Sequence, residues 1–180
     1  LSKAIELDPS AAISYNNRGV VNRDTNKLPE AAFDFTKAIE INPNNADSYR
    51  NRGEVYMAQG KSDLAIKDLN KAINLNPKDA DAYRMRGLMY KAKEDINQAI
   101  QDLSKSIEID PLSAESYFNR GISYGLKGDF DRAIADLSKT IELEPKKALS
   151  YRVRAFAFQD KGGLDQAAKD FSKVVELEPE

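Results

Sequence analysis

Residues 114–147 read AESYFNRGISYGLKGDFDRAIADLSKTIELEPKK, and the same skeleton recurs along the whole chain. Tyr117 has equivalents at Tyr15, Tyr49, Tyr83 and Tyr151, each 34 residues from the next, and Arg120 has them at Arg18, Arg52, Arg86 and Arg154. Pro145 belongs to the series Pro9, Pro43, Pro77, Pro111 and Pro179 on the same step. A fixed period of this length describes an array of one small unit, in which each unit buries its apolar face only by stacking on the next. Five units can be cut at 12–45, 46–79, 80–113, 114–147 and 148–180. Residues 1–11, with Leu1, Ala4, Ile5 and Leu7, match the end of a further unit, so the chain reads as a piece of a longer array.

Each unit holds two amphipathic stretches. In the third, Ala80 to Lys93 places Tyr83, Gly87 and Tyr90 on one face of a helix, and Ile96 to Ile109 places Ala99, Leu103, Ile107 and Ile109 at near-helical spacing. A short turn separates them. Gly60, Gly128 and Gly162 share one position there, suited to the left-handed residue that ends a helix. Asn26 suits that position too, whereas Glu94 is expected to bring strain or a different turn. The period-setting proline then stops the second helix. Gly19, Gly53, Gly87 and Gly121 on the first helix, and Ala31, Ala65, Ala99, Ala133 and Ala167 on the second, let the two backbones approach closely. Asn22 stands where Tyr56, Tyr90, Tyr124 and Phe158 stand, making the first unit the poorest match.

Composition narrows the function classes. Charged residues make up 31% of the chain and nearly cancel, for a net charge of −2, without the basic excess that a phosphate backbone demands. Cys, His and Trp are absent, which removes disulfides, the usual zinc ligands and nucleophile–histidine catalysis from this segment. No cofactor is implied. No apolar run approaches the length of a membrane span, and membrane insertion is not expected.

The pattern Tyr-x-x-Arg-Gly-x-x-Tyr, a turn glycine, then Ala-Ile-x-Asp-Leu-x-Lys-Ala-Ile-x-Leu-x-Pro resembles the tetratricopeptide repeat over essentially the whole chain. The departure is Arg18 and its equivalents, where that family more often has leucine. The resemblance implies an all-α fold, a right-handed α-superhelix (an alpha-alpha solenoid) of stacked antiparallel helix pairs whose first helices line a concave groove.

Two charged columns repeat as strictly as the apolar ones. Asp34, Asp68, Asp102, Asp136 and Asp170 lie in the second helices, and the arginines lie one residue before the close-contact glycine, or before Ala155. Arg–Asp pairs between helices, within a unit or across to its neighbour, are the expected result, with Lys37, Lys71, Lys105, Lys139 and Lys173 as competitors for the aspartates three residues away.

Recurring columns serve stacking, so partner recognition is expected where columns vary. By the resemblance, the variable face of the first helices lines the groove. Asn17, Asn51 and Asn119 share one position there, interrupted by Met85 and Val153. A primary amide pairs with both halves of a peptide bond, and some members of the family grip an extended backbone with such a ladder. Leu88, Ile122 and Phe156 form a second, apolar column flanked by Met85 and Phe118, with Arg50, Arg84 and Arg152 beside it to receive an acidic group. The carboxylate clamp of chaperone-binding members is not expected. Asp81 and Glu115 stand where lysines would be needed. The expected function is a non-catalytic scaffold holding an extended or helical segment of a partner protein. The alternatives are the targeting arm of a larger enzyme, or an end-to-end homo-oligomer joined through apolar residues such as Phe171, Val174 and Leu177.

Overall fold

The computed structural model describes Asp8 and residues 10–178. Leu1, Ala4, Ile5, Leu7, Pro9 and Pro179 lie outside the described residues. Among the described residues the regular structure consists of ten helices and no strand. They are α1 (Ala12–Asp24), α2 (Leu28–Ile41), α3 (Ala46–Ala58), α4 (Ser62–Leu75), α5 (Ala80–Ala92), α6 (Ile96–Ile109), α7 (Ala114–Leu126), α8 (Phe130–Leu143), α9 (Ala148–Lys161) and α10 (Leu164–Leu177).

The chain divides after Lys93 into two compact units. In the first, α1 packs on α2, α2 on α3, α3 on α4 and α4 on α5, while α1 touches α3 and α3 touches α5. In the second, α6 packs on α7, α7 on α8, α8 on α9 and α9 on α10, and α7 touches α9. Both units are the all-α stack of helix pairs that the sequence predicts.

Helix starts follow local chemistry. The side chains of Asn45, Asp79 and Ser113 accept the backbone N–H groups of Ser48, Ala82 and Ser116, at 3.0, 3.0 and 3.3 Å. The ends are set by the prolines, since Pro43, Pro77, Pro111 and Pro145 each follow the residue that caps a second helix. Between the helices of a pair the left-handed position is real. Gly60, Gly128 and Gly162 have φ of 71°, 79° and 90°, and Asn26 has 58°. Lys61 N–H reaches back to Tyr56 O at 2.8 Å, and Asp129 N–H to Tyr124 O at 2.9 Å, the closure that satisfies the last carbonyls of a helix. Glu94 takes the same left-handed conformation at φ 63°, where its Cβ crowds the backbone.

Each core is built on the small-residue columns. Phe35, Leu69, Leu103 and Leu137 are completely buried, as are Ala31, Ala65 and Ala99. A Cβ on Gly53 would lie 3.1 Å from Leu69 Cγ, and one on Gly19 would lie 2.7 Å from the Phe35 ring. The glycine is therefore what allows the large residue of the second helix to sit against the first.

Two stability changes follow, both measurable by urea denaturation. Gly19→Ala gains the ordinary helix preference of alanine, about 1 kcal/mol. It must also displace a fully buried ring, and the net result is a loss of about 1–2 kcal/mol. Glu94→Gly relieves the left-handed strain and raises stability by about 1 kcal/mol.

Candidate functional site

The arginine and aspartate columns meet as bidentate pairs. Arg18 Nε and Nη2 donate to Asp34 at 2.9 and 2.7 Å, and Arg52 donates likewise to Asp68 at 2.7 and 2.9 Å. In the second unit Arg120 holds Asp136 at 2.7 and 2.8 Å, and Arg154 holds Asp170 at 2.8 and 2.7 Å. These aspartates are all buried. Hydrogen bonding to Asp34 and Asp136 raises the Arg18 and Arg120 guanidinium groups above their ordinary pKa. At Arg52, burial works downward but the bond to Asp68 and its charge outweigh it, with the same upward result.

A third partner joins four of the arginines, Arg52, Arg86, Arg120 and Arg154, to the preceding helix pair. Arg52 Nη1 donates to Thr36 Oγ1 at 3.0 Å, Arg86 Nη1 to Asn70 Oδ1 at 2.6 Å, and Arg154 Nη1 to Ser138 Oγ at 2.9 Å. Aromatic rings lie beside the guanidinium groups: Arg52 is 5.9 Å from the Tyr49 centroid and 5.8 Å from that of Tyr56. At the first pair the second ring is missing, and Asn22 instead donates to Asp34 at 2.9 Å. The lysine column takes other partners. Lys37, Lys105 and Lys139 bind Glu40, Glu108 and Glu142, each at 2.7 Å.

The variable face is more engaged than its sequence suggests. Asn17 is exposed, but Asn51 is buried and donates to Asn16 Oδ1 at 3.3 Å, while Asn119 donates to the Glu115 carbonyl of its own helix at 2.8 Å. Met85 is buried among Leu69, Ala72, Ile73 and Ala82. Leu88 is half-buried. The three arginines meet carboxylates of this chain: Arg50 meets Asp47 and Asp79 at 3.1 and 3.2 Å, Arg84 meets Asp81 at 2.7 Å, and Arg152 meets Glu178 at 2.6 Å.

In the second unit the remaining apolar residues come together. Phe118 and Val153, both half-buried, pack beside the cluster of Tyr124, Ala133, Leu137 and Ala157. Ile122, Val153 and Phe156 line a cleft of about 250 Å³ between α7, α8 and α9, with Leu126 and Phe130 on its walls and Asp160 at its edge. Phe156 is 52% exposed and is braced edge-on by Phe171, with ring centroids 5.4 Å apart. Gly125 creates the space, because a Cβ there would meet nothing within 4 Å. The equivalent positions carry Arg23, Met57, Lys91 and Gln159. Arg23 binds Glu54 at 2.6 Å, Met57 packs on the core of its unit, and burial lowers the Lys91 pKa. Gly125, by contrast, has no side chain to occupy that space. The cleft residues that the sequence reading passed over are thus Leu126, Phe130 and Asp160.

Paired helices closed by a left-handed turn and stacked through glycine and alanine define a helical-repeat protein. Models of the TPR repeat match residues 21–60, 53–93 and 87–128, and the tetratricopeptide-repeat model matches 114–147. The chain belongs to the tetratricopeptide-repeat family. No curated protein sequence matches it. Among solved structures, a MamA protein is 28% identical with a TM-score of 0.84, over 92% of this chain and 91% of that one. MamA from Desulfovibrio magneticus RS-1 is 20% identical with a TM-score of 0.86, over 92% and 94%. YrrB, described as a TPR protein with an unusual peptide-binding site, is 23% identical with a TM-score of 0.83, over 99% and 92%.

The Arg–Asp pair is testable as a unit. Asp136→Ala strands the Arg120 charge and is expected to cost about 3–5 kcal/mol. Adding Arg120→Leu recovers part of that loss, so the double variant unfolds at higher urea than the sum of the single effects allows.

Proposed function

We propose that this chain is a docking scaffold, acting by binding and not by catalysis, which holds an extended or helical segment of a partner protein against the first helices of its repeats. The family's architecture supports the coarse reading, and the cleft beside Gly125 is the observation that supports the finer one. A glycine inside α7 costs about 1 kcal/mol relative to alanine, yet here no close contact demands it. What the glycine provides is an apolar recess walled by Ile122, Val153 and Phe156. Its volume of about 250 Å³ lies below the range usual for small-molecule sites and suits a single large side chain. Phe156, exposed yet braced by Phe171, supplies the aromatic surface that often dominates interfaces.

In this reading Phe118, Ile122, Val153 and Phe156 form the anchor region. Asn17, Asn119 and Leu88 are secondary contact positions. Asn51, Met85 and the arginines Arg50, Arg84 and Arg152 act through the scaffold they brace, since each already has partners within the chain.

Peptides enriched from a displayed random library against the chain provide the test. They are expected to bind saturably and to lose about tenfold or more in affinity with Gly125→Met, which puts a side chain where a Cβ meets nothing within 4 Å. The thermal midpoint of that variant should not fall. Enriched peptides that ignore both Gly125→Met and Phe156→Ala would remove the cleft from the site.

A further inference from the structure

Of the residues lining the cleft, only one is charged, and that one is acidic. Asp160 stands at the edge of an otherwise apolar wall made by Gly121, Ile122, Leu126, Phe130 and Phe156. Its side chain is exposed and makes no hydrogen bond or ion pair among the described residues. It also occupies the last turn of α9, which ends at Lys161. The carbonyl end of a helix already carries partial negative charge, so an aspartate there adds to an unfavourable field that a cation would relieve. The neighbouring cations are committed elsewhere. Lys161 Nζ lies 2.5 Å from Asp131, and Lys127 Nζ donates to Asn97 at 2.7 Å.

From this juxtaposition of an apolar recess and an uncompensated carboxylate at a helix C-terminus, we infer that the cleft selects a partner segment in which a bulky apolar side chain is flanked by lysine or arginine. The apolar group fills the space that Gly125 leaves open, and the flanking cation meets Asp160. The inference rests on the docking role of the cleft and adds the chemistry of its occupant. An acidic segment would place like charges together, so selection arises from repulsion as well as attraction. Because Asp160 is exposed, the contribution is that of a surface ion pair and weakens as salt rises.

Three labelled pentapeptides, Ser-Lys-Phe-Lys-Ser, Ser-Ser-Phe-Ser-Ser and Ser-Glu-Phe-Glu-Ser, titrated by fluorescence anisotropy against the intact chain, test this. The lysine-flanked probe is expected to bind about fivefold more tightly than the neutral one at low salt, with the acidic probe weakest. Asp160→Asn should bring the lysine-flanked and neutral probes to parity while leaving the neutral probe's affinity unchanged. Equal binding of all three probes to the unaltered chain, or a lysine advantage that survives Asp160→Asn, overturns the inference. If Gly125→Met still abolishes binding in that case, the cleft stands as a docking site and only its charge selection fails. If Gly125→Met has no effect on any probe, the docking reading fails as well.

Discussion

The stacking of this chain depends on a guanidinium held in three directions at once. Arg52 is bonded to Asp68 within its own helix pair, to Thr36 of the preceding pair, and is flanked by the rings of Tyr49 and Tyr56. Arg154 repeats the arrangement with Asp170, Ser138, Tyr151 and Phe158. A fork of donors in a plane, with aromatic rings beside it, fixes distance and rotation together, which an apolar contact would not do. Burial of the aspartates makes the geometry obligatory, because an unpaired carboxylate there would be costly. Where leucine would stack these units by shape alone, this chain stacks them by shape and charge.

That constraint also explains how much of the fold was legible. Gly19, Ala31 and Phe35 announce a close contact through their sizes, and the structure puts the Phe35 ring where a Cβ on Gly19 would be. Arg–Asp pairing followed from two columns that never vary. Its third partner did not. Thr36, Asn70, Ser104 and Ser138 differ in kind, and what they share is an oxygen able to accept from arginine. Glu94 was legible as a misfit, and the structure holds it at φ 63° in the conformation that the glycines adopt in the other turns.

The candidate site was read less completely, for a physical reason. Sequence periodicity assigns a residue to a face but does not say whether its side chain reaches solvent or a neighbour. Met85 and Asn51 share the variable face with Phe156, yet the first packs into a core and the second bonds to Asn16. Arginines that look available to an acidic partner are answered by Asp79, Asp81 and Glu178 of the chain itself. The informative signal was an absence at a single position. Gly125 breaks a column of Arg23, Met57, Lys91 and Gln159, and the missing side chain makes the recess.

Regular columns thus build the scaffold, and one broken column leaves an apolar recess in it. A direct measurement is to add N-acetylphenylalaninamide to the isotope-labelled chain and map its backbone amide shifts. The account predicts saturable shifts centred on Ile122, Gly125, Val153 and Phe156, with none at Val20, Glu54 and Met57, the equivalent surface of the first unit. Shifts distributed alike over both units, or centred on the first, would contradict it.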